Sequence, residues 1–588
     1  MIQTMAPTKW SLSDLLPDPY EQSLEAALRE VEGKVTAFEA MRTLLTDGIS
    51  QADFLAIIHL NEEMAELTHR IGAYAQLWFY SDTKDQAARN LRDRVDKALT
   101  EVENRTLFFG LWLKDISDEA FERLTPPGSE YRYMLENARK FKPHALSEPE
   151  EKIVNLKDTD GIEALIGVYD MITNAFEFTL EVDGEKKTLT RDQIGSYYRN
   201  PSPELRAAAF QELFRVYGEN SAVLAQIYNH RVRDWYSEMI TLRGFRTPIT
   251  ARNFQNDIPD DVVEALLEVC RRNNSVYQRY FRLKAKWLGV DKLRRYDIYA
   301  PLSKSDKTYD YGYAVDLVLD TFNGFSPRVG ALAQRVLDTN HIDSEVRPGK
   351  RGGAFCYTVT PSLAPWVHVN YTGKASDIAT LAHELGHAIH SQLAAGHSIL
   401  TYHPSLPLAE TASVFSEMML TDRLLREEPD PSVRRDLLAA AVDDAYATVQ
   451  RQAYISIFER RAHEMINDGA STDEVRAFCM ANQYEQFGDS LIISDEFQWE
   501  WITIPHSFHT PFYTYAYSFG QLLVLALYQQ YRLEGESFIP RYLKMLSYGG
   551  SEEPVRVLRE AGIEPASLEF WQGGYDVIAA MIDELEGL

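Results

Sequence analysis

The chain has 588 residues, of which 45% are hydrophobic and 25% charged, values that are ordinary for a protein with a packed interior. At this length one small core is not enough, so we expect more than one lobe. A formal net charge of -27 argues against a nucleic-acid partner, because phosphates need an excess of cations to neutralise them.

The start of the chain shows no targeting signal, because residues 1–18 contain no basic stretch followed by an apolar core. No apolar run reaches the length of a membrane span, and residues 522–531 are too short and turn polar. The 3 cysteines are widely spaced and odd in number, which does not predict a disulfide framework. We therefore expect a cytoplasmic protein with reduced thiols and no membrane partner.

Helical periodicity dominates the first part of the chain. Apolar residues recur three and four positions apart over residues 23–45 and 52–80, which predicts amphipathic helices. Residues 176–190 instead alternate in polarity around Asp183-Gly184, a pattern typical of a β-hairpin. The helical pattern then resumes after Asn200-Pro201. The predicted fold class is mainly α, with small β segments.

A second β signal covers residues 355–372, where polar and apolar residues alternate in two short runs. An exposed edge strand can bind a peptide through its main chain, and glycines let another backbone approach closely. We therefore predict a substrate-binding edge that contains Gly352, Gly353, His368 and Asn370. A hairpin that only packs against the next helix is the alternative, and His368 alone is more often an ordinary polar strand residue.

The next helical pattern, residues 376–396, contains the run H-E-L-G-H. Residues four apart share one face of a helix, so His383 and His387 can offer two imidazole nitrogens to one metal ion. Glu384 lies beside them and can accept a proton, which is the zinc-peptidase pattern. Ser376 is the predicted N-cap. Two ordinary core or surface histidines are the alternative interpretation.

A zinc site of this kind needs a third protein ligand. Residues 407–425 have helical periodicity and carry Glu410 and Glu417, which we expect two turns apart on one helix face. Glu410, nearer the helix start, is the predicted ligand, and Glu417 is predicted to orient a ligand histidine. A solvated Glu410 and a structural Glu417 are the alternatives. His390 is predicted to support the site or to pack, without binding the metal.

Residues 463–467 begin in the same way, with His463-Glu464, but lack the second histidine. Two histidines at this spacing are what the metal pattern requires. We therefore predict that this segment is helix surface without a metal.

Other parts of the chain carry recognisable motifs at residues 10–18, 350–359, 366–373, 383–391, 410–417, 504–520 and 570–578. Taken together, these motifs resemble peptidase family M3, and specifically its oligoendopeptidase F branch, over nearly the whole chain. The resemblance implies a mostly helical, zinc-dependent endopeptidase that binds one Zn²⁺ ion and cuts short peptides but not folded proteins.

The resemblance also implies a division of the chain into two lobes that close over a deep channel. Residues 1–200 would form an N-terminal helical region, with a segment similar to the oligopeptidase F N-terminal domain at about 115–185. Residues 201–588 would form the M3-like catalytic region.

The family places a His and Tyr cluster downstream of the metal motif, where it donates hydrogen bonds to the oxyanion on the scissile carbonyl. Residues 506–517 match that cluster by residue type. His506, Tyr513 and Tyr517 are the predicted donors, and Tyr515 and His509 are weaker candidates. An aromatic-rich core helix is the alternative.

The helix motif predicts a metal site with Glu384 as the general base, and the resemblance to the family implies a metalloendopeptidase that acts on short unfolded peptides. A zinc carboxypeptidase or dipeptidase on a related helical scaffold is one alternative, and a peptide-binding protein with structural zinc is another. Cobalt or manganese could replace zinc. The sequence leaves open the oligomeric state, the cleavage preference and the physiological substrate.

Overall fold

The computed structural model describes residues 5–17, 20–302 and 308–588. The chain divides into two compact units, each built from three separate segments. The first unit contains residues 1–143, 306–424 and 530–563, and the second contains 144–305, 425–529 and 564–588. The predicted boundary at residue 200 separates an N-terminal helical region of the sequence from a catalytic region, and it remains a prediction.

Helices form most of the first unit, and its hydrophobic core lies among the N-terminal helices, with Val359 and Trp366 packed against them. The α-helices are Tyr20–Ala40, Gln51–Ser81, Gln86–Asp115, Asp118–Leu124, Arg132–Arg139, Tyr311–Phe325, Pro327–Asp338, Ala375–Leu393, Leu406–Ala409, Ser413–Glu427, Ile539–Ser547 and Pro554–Glu560, and short 3-10 helices span Met41–Leu44, Lys142–His144 and Gly535–Phe538.

The second unit is also helical. Its α-helices are Glu148–Asp158, Ala164–Asn174, Arg191–Gly195, Pro203–Glu219, Ser221–Trp235, Pro248–Gln255, Asp260–Arg272, Asn274–Trp287, Pro431–Ala445, Arg451–Asn467, Thr472–Phe487, Pro505–His509, Tyr515–Glu534 and Leu568–Gly587. Its π-helical turns are Thr159–Glu163, Tyr236–Leu242 and Tyr446–Gln450, and its 3-10 helices are Ser196–Arg199, Arg295–Asp297 and Asp495–Thr503.

The predicted hairpin is confirmed in the second unit. Strands Phe178–Val182 and Glu185–Leu189 pair antiparallel, and Val182 lies opposite Glu185. Asp183 and Gly184, between the strands, both have positive φ, at 56° and 81°, which is what a tight two-residue hairpin turn requires. A parallel pair, Leu293–Arg294 with Leu491–Ile492, is the other sheet of this unit within the described residues.

A three-stranded sheet in the first unit lies next in the chain before the helix Ala375–Leu393. Its strands are Ile342–Asp343, Trp366–His368 and Phe355–Tyr357, in that spatial order. The middle strand pairs parallel with the first and antiparallel with the third. The sequence predicted the last two strands and missed the first. The fold class, mainly α with small β segments, is therefore confirmed.

Within the described residues, no helix combines the length and the apolar character that crossing a membrane requires.

Candidate metal centre

The helix Ala375–Leu393 carries the H-E-L-G-H run. Its N-cap is Lys374, and the Asp377 carboxylate accepts hydrogen bonds from the backbone N–H of Thr372 (2.7 Å) and of Lys374 (3.1 Å). The prediction of Ser376 as N-cap is therefore wrong by two residues, because Asp377 caps from the third position inside the helix.

Three side chains of the first unit bring metal-binding atoms together. Glu410 Oε2 lies 3.4 Å from His383 Nε2 and 3.5 Å from His387 Nε2. The three ligand atoms are all within 4.8 Å of one another. Zinc with bonds of about 2.0–2.2 Å in a tetrahedron keeps its ligand atoms about 3.4 Å apart. The donor types and their spacing therefore fit a zinc ion.

Glu410 lies outside a regular helix. The short helix Leu406–Ala409 ends just before it, and the next helix begins at Ser413. The Ser413 hydroxyl donates a hydrogen bond to Glu410 Oε2 (2.7 Å). The prediction that Glu410 and Glu417 share one continuous helix is wrong, because the backbone turns between them; hydroxyl side chains commonly form such local bonds at helix starts.

Glu417 contacts the opposite side of a proposed ligand. Its carboxylate hydrogen-bonds to His383 Nδ1, which leaves Nε2 of the same ring facing Glu410. Burial disfavours the charged ring, but the hydrogen bond with Glu417 and the nearby carboxylates outweigh it and raise the pKa of His383. A carboxylate in this place fixes the tautomer and orientation of a metal-binding histidine.

Gly386, between the two histidines, is a residue that sequence reasoning missed. A Cβ atom at this position would lie 2.6 Å from the Ser413 Cα and 2.7 Å from the Ala412 carbonyl oxygen. Only glycine therefore lets the segment that follows Glu410 pack directly on the helix Ala375–Leu393. A glycine inside a helix costs about 1 kcal/mol relative to alanine, and its presence was the available signal.

Glu384 is 6% exposed and lines a cavity of about 470 Å³. The same cavity is lined by Ala354, Phe355, Cys356, Thr358, His383, His387, His390, Ser391, His403, Pro404, Ala409 and Glu410. Burial, with the neighbouring carboxylates, raises the pKa of Glu384 to about 7. Its carboxylate accepts a hydrogen bond from the Cys356 backbone N–H. A divalent cation beside it would oppose this rise.

His390 is buried against the same cavity wall. Burial lowers its pKa to about 4, so the ring is neutral near pH 7. Its Nδ1 has no hydrogen-bond partner among the described residues, and His390 is not part of the three-residue ligand cluster.

The strand predicted as a substrate-binding edge has a different position. Trp366–His368 is the middle strand of the three-stranded sheet, so both of its edges are paired. The prediction of an edge at this strand is therefore wrong; strand alternation shows which side chains share a face but not which strands flank it. The strand Phe355–Tyr357 lies at the edge of the sheet and lines the cavity through Phe355 and Cys356.

His368 is fully buried, which corrects its predicted contact with substrate. Its ring stacks on Phe355 with centroids 4.7 Å apart, and Nε2 donates to the Arg351 carbonyl (2.9 Å). Burial lowers its pKa to about 4. His368 therefore stabilises the sheet and the loop before it.

The predicted glycines lie in that loop and are exposed. Asn370 Nδ2 donates to the carbonyls of Arg351 (3.1 Å) and Gly353 (2.9 Å), so it holds the loop in place. Gly353 has φ +80°, and a Cβ at Gly352 or Gly353 would meet nothing within 4 Å. The loop backbone is therefore open, and glycine is required by conformation at Gly353.

The predicted oxyanion donors come together in the second unit. Tyr517 Oη lies 3.3 Å from His506 Nε2, and the rings of His506 and Tyr513 are parallel with centroids 5.8 Å apart. The Tyr513 and Tyr517 rings meet edge to face at 5.3 Å. Partial burial raises the pKa of Tyr517 and lowers that of His506, so the hydroxyl stays protonated and the imidazole neutral near pH 7.

The two weaker candidates have structural contacts instead. Tyr515 is fully buried, and its hydroxyl accepts a hydrogen bond from Asn256 Nδ2 (2.9 Å). His509 contacts the Asp170 carboxylate through Nε2 (2.9 Å) and the Pro505 carbonyl through Nδ1 (3.0 Å). Tyr513 precedes the helix Tyr515–Glu534, and Tyr515 and Tyr517 lie in its first turn on different faces. Of the three tyrosines, only Tyr515 is buried in the core.

The other His-Glu run, at His463, is not helix surface. His463 is buried, and its Nε2 lies 3.8 Å from Oε1 of the equally buried Glu459, one turn earlier. The His463 ring has no hydrogen-bond partner among the described residues. The surface prediction for His463 is wrong because the apolar face of helix Arg451–Asn467 includes it; Glu464 does remain exposed.

Comparison with known proteins identifies the family that this architecture and this ligand set belong to. The model of peptidase family M3 matches residues 196–577, and that of oligopeptidase F matches residues 112–178. The oligopeptidase PepF of Bacillus subtilis is 24% identical, over 100% of this chain and 88% of its own length. The chromosomal oligoendopeptidase F of Lactococcus lactis subsp. cremoris is 26% identical, over 98% of this chain and 97% of its own.

Solved structures show the same fold. A Chlamydophila abortus protein superposes with a TM-score of 0.91 at 23% identity, covering 98% of both chains. The oligoendopeptidase F of Enterococcus faecium superposes with a TM-score of 0.67 at 23% identity, covering 96% of this chain and 99% of its own.

Proposed function

This chain belongs to peptidase family M3 and is a metalloendopeptidase, and on that premise we propose that it uses zinc to hydrolyse internal bonds of short unfolded oligopeptides. The observation that carries the proposal is the convergence of His383, His387 and Glu410 beside the buried Glu384. Two histidines and one carboxylate leave a fourth zinc position open, which is the arrangement of a catalytic site.

His383, His387 and Glu410 would hold the ion, and Glu417 would keep the His383 ring oriented through its Nδ1. When bound, zinc supplies Lewis acidity, which makes water a better nucleophile at neutral pH and polarises a carbonyl. We assign the catalytic region to residues 201–588.

Glu384 is the proposed general base. It borders the cavity, carries no metal-binding role in this proposal, and is held by the Cys356 backbone N–H. Its carboxylate would accept a proton from the attacking water and then pass it to the leaving amine. Burial favours proton uptake by a carboxylate, which suits both steps.

His506, Tyr513 and Tyr517 are the proposed oxyanion donors. Support comes from their type, from their mutual contacts and from pKa shifts that keep the Tyr517 hydroxyl protonated. If they donate in the transition state alone, Tyr517→Phe and Tyr513→Phe lower kcat with little change in KM. The buried Tyr515 is not proposed as a donor.

A peptide substrate would bind along the strand Phe355–Tyr357, which borders the cavity and ends its sheet. The exposed backbone of Gly352 and Gly353 would contact the peptide, and Asn370 would position that loop. Main-chain pairing of this kind accepts many sequences, in keeping with an enzyme for diverse short peptides.

Digestion of a peptide blocked at both ends tests the proposal. An endopeptidase cleaves it internally, whereas a carboxypeptidase or dipeptidase leaves it whole. Removal of the metal with a chelator should abolish cleavage, and added zinc should restore it. Cleavage that persists in the metal-free protein would rule out metal-dependent chemistry.

Glu384→Gln tests the base. The variant should keep one bound zinc per chain, measured by elemental analysis, and lose about 10²–10⁴-fold in kcat. Glu464→Gln is the matched control, since Glu464 also follows a histidine on a helix but is exposed. Retained activity in Glu384→Gln with zinc bound would remove Glu384 from the mechanism.

A further inference from the structure

A second cavity, in the second unit, is small and is lined by both polar and apolar side chains. It measures about 40 Å³ and lies among the helices Arg451–Asn467 and Thr472–Phe487 and the 3-10 helix Asp495–Thr503. Its walls include Arg295, Arg451, Tyr454, Ile455, Phe458, Cys479, Asn482, Gln483, Gln486, Glu500, Trp501 and Ile504. A single water needs about 10–15 Å³, so this space holds an ion or a few waters and no side chain of a substrate.

Three buried donors among the lining residues lack acceptors. They are the Arg295 Nε, the Gln486 Nε2 and the Trp501 Nε1, none of which has a hydrogen-bond partner among the described residues. These side chains are only 3%, 6% and 2% exposed. A buried donor without a hydrogen bond destabilises the fold, so three such donors at one cavity indicate a ligand that accepts hydrogen bonds.

The charges at the cavity do not balance. Arg295 and Arg451 share the single carboxylate of Glu500, whose Oε1 lies 3.1 Å and 3.3 Å from one guanidinium nitrogen of each. Two cations and one anion leave one positive charge on the cavity wall. The Arg295 side chain is 3% exposed and that of Arg451 is 30% exposed, so water solvates only part of this charge, and a small monovalent anion in the cavity would offset the rest.

Water explains these atoms less well than an anion does. The unpartnered lining atoms include three donors and one acceptor, the Gln483 Oε1. One water can accept two hydrogen bonds and donate one to Gln483 Oε1, which leaves the third donor unpaired, whereas an anion only accepts and suits all three donors. Since Glu500 is already bonded to both arginines, its charge is offset where an anion would approach.

We propose that this cavity is a binding site for a small monovalent inorganic anion such as chloride, held by Arg295, Gln486 and Trp501. The site lies within the second unit and does not depend on the proposed peptidase mechanism. Because the folded protein alone has the site, anion binding should stabilise it by mass action.

Thermal unfolding of the full-length protein tests the proposal. Tm is measured from 0 to 300 mM sodium chloride, with sodium gluconate added to keep ionic strength constant, so that charge screening does not vary. We expect Tm to rise with chloride and then to saturate. Equal Tm values in chloride and in gluconate would overturn the proposal.

Two variants locate the effect. Trp501→Phe removes the indole N–H, and the chloride concentration at half-saturation should rise at least about 10-fold, as for the loss of one hydrogen bond to a charged group. Gln486→Glu places a carboxylate in the cavity and should abolish the chloride dependence. Trp235→Phe is the control, because the Trp235 indole already donates to the Pro248 carbonyl (2.9 Å) in the same unit.

A wild-type response in both Trp501→Phe and Gln486→Glu would overturn the site. Should Trp501→Phe fail to fold, Gln486→Glu alone decides the question. Crystals soaked in sodium bromide give an independent readout, with an anomalous peak expected within hydrogen-bond distance of Trp501 Nε1. Density for water only at that place would contradict the proposal.

Discussion

Two helices in this protein each place a histidine four residues from a second side chain of a type that can bind a metal ion. The surroundings of the two pairs differ greatly. In Ala375–Leu393 the pair His383 and His387 is partly exposed beside a cavity of about 470 Å³. In Arg451–Asn467 the pair Glu459 and His463 is fully buried, with Tyr228 and Phe512 rings 6.2 Å and 4.5 Å from the His463 ring.

The difference shows that helical spacing creates a pair and that the neighbouring elements determine what the pair can do. Glu410 and Glu417 complete the first pair from outside its helix. The second pair has no additional ligand of this kind among the described residues. Burial raises the pKa of Glu459 to about 8 and lowers that of His463 to about 3, so both side chains are uncharged near pH 7.

Removing one histidine from each helix should give the largest contrast. His387→Ala should lose stoichiometric zinc and reduce kcat/KM by at least about 10³-fold, because metal catalysis contributes several kcal/mol. His463→Ala should lower stability and keep both zinc and activity. Elemental analysis and hydrolysis of an end-blocked peptide measure the outcome. Zinc loss in His463→Ala would mean that the two helices are not functionally distinct.

Gly386→Ala tests whether close packing completes the first site. The new Cβ would collide with Ser413 Cα, so we expect a loss of about 1–3 kcal/mol in the free energy of unfolding, together with weaker zinc binding. The control is Gly110→Ala in the helix Gln86–Asp115, where a Cβ meets nothing within 4 Å. That variant should gain about 0.5–1 kcal/mol in urea unfolding. A Gly386→Ala variant with wild-type stability and wild-type zinc binding would show that this close contact is needed for neither.

Glu417→Gln tests the orientation of His383. Replacing the carboxylate that bonds to Nδ1 should weaken zinc binding about 10- to 100-fold, measured by competition with a chelator. Activity at saturating zinc should largely recover. The exposed Asp316→Asn, in the same unit, should leave zinc affinity unchanged. An unaltered zinc affinity in Glu417→Gln would assign Glu417 a purely structural role.

The buried pair predicts a pH dependence of stability. The folded pKa of Glu459, about 8, lies above its unfolded value of about 4.3, so stability falls as pH rises between the two. The folded pKa of His463, about 3, lies below its unfolded value of about 6.5, so there stability rises with pH. Between about pH 4.3 and 6.5 the two opposite changes in stability cancel. Between about pH 6.5 and 8 only the fall in stability caused by Glu459 remains.

Glu459→Gln should therefore flatten the loss of stability between pH 6.5 and 8, which amounts to at most about 2 kcal/mol. Urea unfolding across this range measures it, with Glu464→Gln as the exposed control on the same helix. A variant whose stability falls as steeply as that of the wild type would show that Glu459 is not the titrating group.

Much of the candidate site could be predicted from local sequence. The pairing of His383 with His387 and the place of Glu384 beside them follow from helical spacing. The choice of Glu410 and Glu417 follows from residue type and nearness in the sequence, although the continuous helix expected for them is broken. The break before Ser413, the middle position of the strand Trp366–His368 and the burial of His463 could not be predicted. Each depends on which distant segment packs there, and periodicity carries no information about that.

The sequence by itself determined the helical class, the hairpin turn at Asp183-Gly184 and the shared helix face of His383 and His387, because these depend on residues within about one turn of each other. Only the tertiary structure decided that Glu410 reaches both histidines, that Gly386 is needed for the approach, and that Arg295, Gln486 and Trp501 line one cavity. The physical reason is that a third ligand, a close contact and a cavity each join residues far apart in the chain.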